Sequence, residues 1–211
     1  MGISISMAYI LAFDTCFAAC NGGILNLQNG KTAVFHAPME RGQAENLVPL
    51  IETLMRENKV EMKDIAAIGV TVGPGSFTGT RVGPATARTL ALARNIPVIG
   101  VETFDVYYEA FGKGIDDVLV AIDTKRDDFY AQIYKQGKKQ SAFILKDLEF
   151  DGTIIRESYL ADDLPDFLLP LVAQRYRESG ETKFDLAKVP QPAYLREADV
   201  TMPKKAVTTG S

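Results

Sequence analysis

Eleven residues of this chain have the types and spacing to handle an anion: Gly73-Pro74-Gly75-Ser76-Phe77-Thr78-Gly79-Thr80-Arg81-Val82-Gly83. They follow an apolar run, Ile65 to Val72, that reads as a buried strand, and they precede a small-residue helix reaching roughly Ala93. A strand, a glycine-rich turn and a helix in that order bring free backbone N–H groups to one point. The helix N-terminus adds about half a positive charge. Glycines there allow positive φ and close approach of a partner. The spacing of Gly73, Gly75 and Gly79 is one residue off the dinucleotide fingerprint, and no Gly-Lys-Ser/Thr is present, so the run is not a P-loop. The same pattern also suits a tight turn that lets a helix pack closely on a sheet. Both readings stand on spacing alone.

The other reactive residue types are few. Cys16 and Cys20 lie four apart, and His36 is the sole histidine. A structural zinc site takes about four N/S ligands, which this set does not supply. Two buried or half-buried thiols in a reducing cytoplasm are expected instead. Asp14-Thr15 ends the first apolar strand, where it suits a turn cap. Ile122-Asp123-Thr124 echoes Phe13-Asp14-Thr15 much later in the chain.

The elements that must position these groups follow from pattern. At 211 residues the chain suits one large domain or two lobes of about a hundred residues each. Its hydrophobic content of 46% and charged content of 24% are those of a soluble globular protein, and no apolar run approaches the ~20 residues that span a membrane. The formal net charge of -4 gives no footprint for binding nucleic acid unaided. Met1 to Ser6 lacks the basic start and the length of a signal peptide, and Met7 offers an alternative natural start.

Strands are expected over Ala8 to Phe13, Gly22 to Leu27 and Thr32 to His36, the last two joined by a hairpin turn at Gln28-Asn29-Gly30-Lys31. Leu47, Leu50, Ile51 and Leu54, with Val48 and Met55 alongside, form a helical stripe. Arg41, Glu45, Glu52, Arg56 and Glu57 take its wet side, and Pro49 should tilt or kink it. The helix after the glycine-rich run carries so many small side chains that a neighbouring helix can approach closely. Asn95 to Val101 reads as a closing strand, and Thr103 as the cap of the next helix. The lobe boundary falls there, giving an N-terminal lobe over 7–102 and a C-terminal lobe over 103–211. In the second lobe, strands are expected over Val118 to Ile122, Ala131 to Tyr134 and Phe143 to Leu145. A helix follows over Asp162 to Ser179, with Pro165 in its first turn and Pro170 set against it. Met202 to Ser211 should fray.

The pattern Gly-Pro-Gly-Ser-Phe-Thr-Gly-x-Arg-Val-Gly resembles the signature of the TsaB (YeaZ) family, the non-catalytic partners in bacterial threonylcarbamoyladenosine tRNA modification. Three further stretches are similar to that family. Arg41 to Pro49 resembles Arg-x-His-Ser-Glu-x-Leu-Leu-Pro, with Gln43 and Ala44 in place of His-Ser. Asp123 to Tyr130 resembles Asp-Ala-Arg-x-x-Glu-Val-Tyr, with Thr124, Lys125 and Asp128 as departures. Pro192-Ala193-Tyr194-Leu195-Arg196 resembles the C-terminal Pro-x-Tyr-Leu-Arg. The H-x-x-x-H pair of the family's catalytic relatives is missing, so a metallopeptidase reading fails on residue types.

The resemblance implies an α/β, two-lobed acetate kinase/Hsp70/actin-like (ribonuclease H-like) fold, each lobe a mixed sheet flanked by helices. In that superfamily the acidic residue ending the first strand faces nucleotide phosphates and metal, which maps onto Asp14, with Asp123 opposite across a cleft. The phosphate-handling set is then Asp14, Gly73, Gly75, Ser76, Thr78, Gly79 and Asp123. The implied role is a non-catalytic scaffold that joins the catalytic TsaD protein and the ATPase TsaE while a threonylcarbamoyl group moves onto the adenosine next to the anticodon. It also implies a homodimer when alone, through the same helices: Leu47, Leu50, Ile51 and Leu54 on one, Val82, Thr86 and Leu90 on the other. No catalytic residue, metal or required cofactor is expected, beyond weak ATP/ADP binding. The location is cytoplasmic, with tRNA met only through the complex. The alternative is a nucleotide-binding or phosphotransfer enzyme of the same fold, using Asp14, Gly73–Gly79 and Asp123. On the scaffold reading, Leu90→Glu or Leu47→Glu should leave a folded monomer that no longer binds its partner.

Overall fold

The computed structural model describes residues 9–156, 163–193 and 195. Expectations for Met1 to Ala8, Asp162, Tyr194, Arg196 and Met202 to Ser211 lie outside the described residues.

Five strands form the first sheet: β1 (Tyr9–Asp14), β2 (Ala19–Asn26), β3 (Thr32–Pro38), β4 (Ile65–Thr71) and β5 (Val98–Val101), in the order β3-β2-β1-β4-β5. The first three make an antiparallel meander, and β4 and β5 add in parallel to β1. β1 and β4 are buried along nearly their whole length because helices cover both faces. Leu11, Phe13, Ile68 and Val70 point to a layer made by α1 (Gln43–Glu57) and α2 (Gly79–Arg94). Ile10, Ala12 and Ala67 point the other way, onto α4 (Leu164–Ser179). A Cβ on Gly69 would stand 2.4 Å from Val172 of α4, so only glycine lets that helix seat on β4.

The second sheet runs β10-β6-β7-β8, from β6 (Asp117–Asp123), β7 (Phe129–Lys135), β8 (Lys138–Lys139) and β10 (Thr153–Arg156), with β9 (Phe143–Leu145) also pairing β7. Between the sheets lie α4 and α3 (Thr103–Tyr107), the latter continued by a π-helical turn over Tyr108–Gly112. Phe104 and Tyr107, the Leu164 to Ala173 stretch of α4, and Val118, Val120 and Ile122 of β6 form one continuous core with the first sheet. Full burial of each large side chain contributes about 2–3 kcal/mol. Asp105 of α3 joins the layers: it accepts from Lys139, from Arg175 of α4 and from the Tyr134 hydroxyl, each at 2.7 Å.

The structure departs from the sequence expectations in several places. β2 starts at Ala19 rather than Gly22, because Ala19 to Asn21 pair with Pro38 to His36, and it stops at Asn26. The Asn26 side chain there accepts from the N–H groups of Gln28 and Asn29 and turns the chain. Asn95 is the left-handed cap of α2 (φ 52), so the closing strand begins only at Val98. α1 runs unbroken through the exposed Pro49, and α4 through Pro170. Glu102, not Thr103, is the cap residue of α3, and the Thr103 hydroxyl is buried without a partner among the described residues. The first sheet ends at Val101 and the second begins at Asp117. However, α4, assigned to the C-terminal lobe, packs on β1, β2, β4 and β5 and so completes the N-terminal one. Among the described residues no helix is long and apolar enough to cross a membrane.

Candidate functional site

The glycine-rich run sits where expected, between β4 and α2, but it is closed onto the β1–β2 turn. The Ser76 N–H donates to the Cys16 carbonyl at 2.7 Å, and Ser76 Oγ accepts from the Gly79 N–H at 3.1 Å as a helix cap. A Cβ on Gly79 would fall 1.7 Å from the Thr15 carbonyl oxygen, and one on Gly75 would fall 2.5 Å from that of Cys16. The glycines thus let two backbones touch. Of the two readings of the run, close packing has a direct geometric cause.

Thr15 adds a link that sequence reasoning missed. Its hydroxyl donates to the Gly79 carbonyl at 2.6 Å and accepts from the Gly83 N–H at 3.0 Å. The only sequence signal was its place directly after Asp14. Gln43, which stands where the family has histidine, is also buried. Its amide donates to the carbonyls of Phe17 and Met39, tying the start of α1 to the β1–β2 turn and to the segment after β3.

Asp14 does not face a cleft. It is fully buried at the end of β1, accepting from Thr71 Oγ1 and from the Cys16 N–H, while Oδ2 has no partner among the described residues. Burial raises its carboxyl above the ordinary aspartate range, against the lowering effect of its hydrogen bonds to Thr71, Cys16 and Asn21. Burial likewise pushes the Cys16 thiol well up, and the Cys20 thiol up to about 11, with the Asp14 charge adding to both. Both thiols are free and buried, so they behave as apolar side chains and not as nucleophiles. His36 pairs with Asn21 Oδ1 at 2.5 Å.

A cleft of about 600 Å³ does open in front of this turn. Its walls are the β1–β2 turn, the start of α1 with Arg41 and Gln43, the outer rim of the glycine-rich run, and the end of β6. Of the expected phosphate-handling residues, Gly75, Ser76, Thr78 and Asp123 line it, whereas Asp14, Gly73 and Gly79 do not. Asp123 accepts from the Lys125 N–H at 2.6 Å and from its ammonium at 3.1 Å. The Lys125 backbone bond leads in holding its carboxyl below the usual range, against weak desolvation. The two aspartates are therefore shifted in opposite directions, and only Asp123 lines the cleft. At the rim, Phe77 is 63% exposed, and the Arg81 guanidinium stacks on it at 3.4 Å while donating to the Phe77 carbonyl at 2.8 Å.

The expected interface residues also divide. Leu47, Ile51 and Leu54 are buried in the core, because the apolar stripe of α1 is the face it needs to cover the sheet. Leu50, Val82 and Leu90 are half-buried at the edge of that core, and Thr86 is half-buried beside them. The large apolar residues that α1 and α2 leave outside are Val48, 40% exposed, and Leu92, 58% exposed. Among the described residues no group of three or more His, Cys, Asp or Glu is placed to hold a metal ion.

Comparison with known proteins adds the following. Residues 37–148 match the family model described as TsaD, tRNA N6-adenosine threonylcarbamoyltransferase. The chain is 31% identical to the tRNA threonylcarbamoyladenosine biosynthesis protein TsaB of Escherichia coli (strain K12), over 89% of this chain and 94% of that one. It is 33% identical to an uncharacterized protein of Mycobacterium tuberculosis (strain H37Rv), over 63% of this chain and 62% of the relative. A Pseudomonas aeruginosa protein with similarity to peptidase YEAZ superposes with a TM-score of 0.72 at 25% identity, covering 90% of this chain and all of the other. YeaZ of Pseudomonas aeruginosa shares the fold, with a TM-score of 0.70 at 23% identity and the same coverage.

Proposed function

The chain belongs to the TsaB family of tRNA threonylcarbamoyladenosine biosynthesis proteins, and from that premise we propose that it is the scaffold subunit of the modification, binding and positioning a TsaD-type catalytic protein while performing no chemistry itself. The observation that carries this reading is the burial of Asp14. The carboxylate best placed to organise a metal or phosphate is turned into the protein, raised in pKa, and fenced from the cleft by the β1–β2 turn. Thr15 and Cys16, which follow it, are bonded to α2 and to the glycine-rich run, so the N–H groups of Ser76, Gly79 and Gly83 meet protein and not an anion. A net charge of -4 agrees with tRNA being met through a complex. The surface offered for association is the outer side of α1 and α2, with Val48 and Leu92 outside and Leu50, Val82, Thr86 and Leu90 at their base. On this reading the same surface serves self-association when the chain is alone, and TsaE joins the assembled pair.

The test is to mix the purified chain with a TsaD-type protein and measure the mass of the complex with and without ATP and TsaE. A stable complex, with no ATP hydrolysis or tRNA modification by the chain alone, is expected. Turnover by the isolated chain at an enzyme's rate would overturn the reading. One observation favours a second reading, nucleotide binding: the cleft carries Gly75, Ser76, Thr78 and Asp123 on its walls. A magnesium-dependent ADP or ATP titration that saturates in the micromolar range, and is lost in Asp123→Ala, would establish it.

A further inference from the structure

The two helices on one face of the first sheet carry opposite charge. α1 links β3 to β4 and α2 links β4 to β5, three strands that point the same way. Both helices therefore run back against the strands and parallel to each other. Their inner sides, with Leu47, Ile51 and Leu54 on α1 and Ala87 and Ala91 on α2, pack on that sheet. On the outer side of α1, Glu45, Val48 and Glu52 recur at helical spacing, and all three are exposed. On α2 the matching stripe is Arg81, Ala85, Arg88 and Leu92, the last three exposed and Arg81 half-buried on the Phe77 ring. α1 holds three acids and one base, whereas from Ile65 to Val101 the chain has three arginines and no acid. Among the described residues Glu45, Glu52 and Arg88 have no ion-pair partner within the chain.

The stripes match in spacing as well as in sign. Glu45 and Glu52 are seven residues apart, as are Arg81 and Arg88, two turns or about 10 Å along the axis in each case. Between the charges stand Val48 on α1, 40% exposed, and Ala85 on α2, small enough to receive it. A two-fold axis running along the helices lays α1 of one copy over α2 of another in the same direction, and repeats the contact with the roles exchanged. Glu45 then meets Arg81, Glu52 meets Arg88, and Val48 meets Ala85. A two-fold axis across the helices would lay α1 on α1 and set glutamate against glutamate, which like-charge repulsion opposes.

We propose that the outer side of α1 and α2 takes a second copy of this chain in the parallel arrangement, with the charge stripes deciding which helix meets which. For the use of this surface in association the inference rests on the reading above, and it adds the pairing of the helices and a dependence on salt.

The experiment is sedimentation equilibrium of four full-length chains: wild type, Glu52→Arg, Arg88→Glu and the double variant. Each is run in about 0.1 M and about 1 M salt, where charges are screened beyond about 10 Å and about 3 Å. The wild-type dimer is expected to weaken about tenfold at the higher salt. Each single variant is expected to weaken it about tenfold at the lower salt, because a two-fold axis counts every substitution twice. The double variant, with opposite signs facing again, is expected to return to within about threefold of wild type. A wild type that stays monomeric, a dimer indifferent to salt, or a double variant as weak as the singles overturns the proposal. Should a single variant fail to fold, the salt dependence of the wild type decides. Binding of the same chains to a TsaD-type protein separates the two readings. A wild type that dimerises as expected but binds no such protein sinks the scaffold reading and leaves the pairing standing. Single variants that lose the TsaD-type protein while dimerising like wild type overturn the pairing and leave the scaffold reading standing.

Discussion

Asp14 keeps company with Thr71, Cys16 and Asn21 in a place with no access to solvent, and its chemistry follows from that. An acid whose folded pKa is raised binds its proton more tightly in the folded chain than in the unfolded one. Its ionisation therefore opposes folding, and stability falls as pH rises from the unfolded value of about 4 toward the raised folded value. Asparagine has the same shape, accepts the same two bonds and has no proton to lose. Asp14→Asn is expected to flatten the fall in stability as pH rises above about 4, measured by urea unfolding at each pH. An unchanged slope would mean that Asp14 is ionised in the folded protein. The sequence identified Asp14 as the notable acid at the end of β1, since an aspartate closing an apolar strand stands out. It did not show which way the side chain turns, because that depends on Thr71, which is 57 residues away. The Arg81–Phe77 stack was hidden for a different reason. Two residues four apart across a helix entrance can touch or not, and only the rotamers decide.

At the scale of elements, periodicity located α1, β1, β3, β4, β6, β7 and α4 through their apolar patterns, and the small residues after the glycine-rich run located α2. Their ends were less legible where a single side chain or backbone angle sets the boundary, as Asn26 and Asn95 do. The apolar stripe of α1 was assigned to a partner, and the fold uses it for the sheet. A stripe shows that a face is covered and does not name the cover. This changes the mutational expectation for Leu47. Leu47→Glu buries a charge in the core and is expected to cost at least 3–4 kcal/mol, about enough to unfold a marginal domain. Val48→Glu and Leu92→Glu, one residue and one helix away, should shift stability by less than about 1 kcal/mol while weakening association. Thermal melts paired with sedimentation of the complex separate the two outcomes. Association unchanged in both outer variants would place the interface elsewhere.

For the molecule as a whole, Asp105 is where the layers meet. Burial would raise its carboxyl, but the bonds from Lys139, Arg175 and Tyr134 outweigh this and hold it below the ordinary range. A lowered acid contributes stability that is fully present above the unfolded pKa of about 4 and lost as pH falls through the folded value. Asp105→Asn is therefore expected to cost about 2–3 kcal/mol near neutral pH. The gap from wild type should close as pH drops below about 4, as followed by urea titrations across pH. A gap independent of pH would assign the loss to shape and not to charge. Nothing in the sequence announced this cluster, because its members come from α3, β7, β8 and α4, up to 70 residues apart. The two-sheet plan was legible, whereas the return of α4 to the first sheet was not. The reason is that Gly23 and Gly69, which leave room for Leu169 and Val172, read locally only as small residues in strands.

The seat of α4 governs how the protein can be made. A ribosome releases β1 to β5 first, yet the side of that sheet carrying Ile10, Ala12 and Ala67 stays greasy and uncovered until Leu164 to Ser179 emerges. Folding of the early half is thereby postponed, and nascent chains need shelter from one another in the interval. A version halted after Arg156 should bind a dye that reports exposed apolar surface and should clump on standing, while the full-length chain does neither.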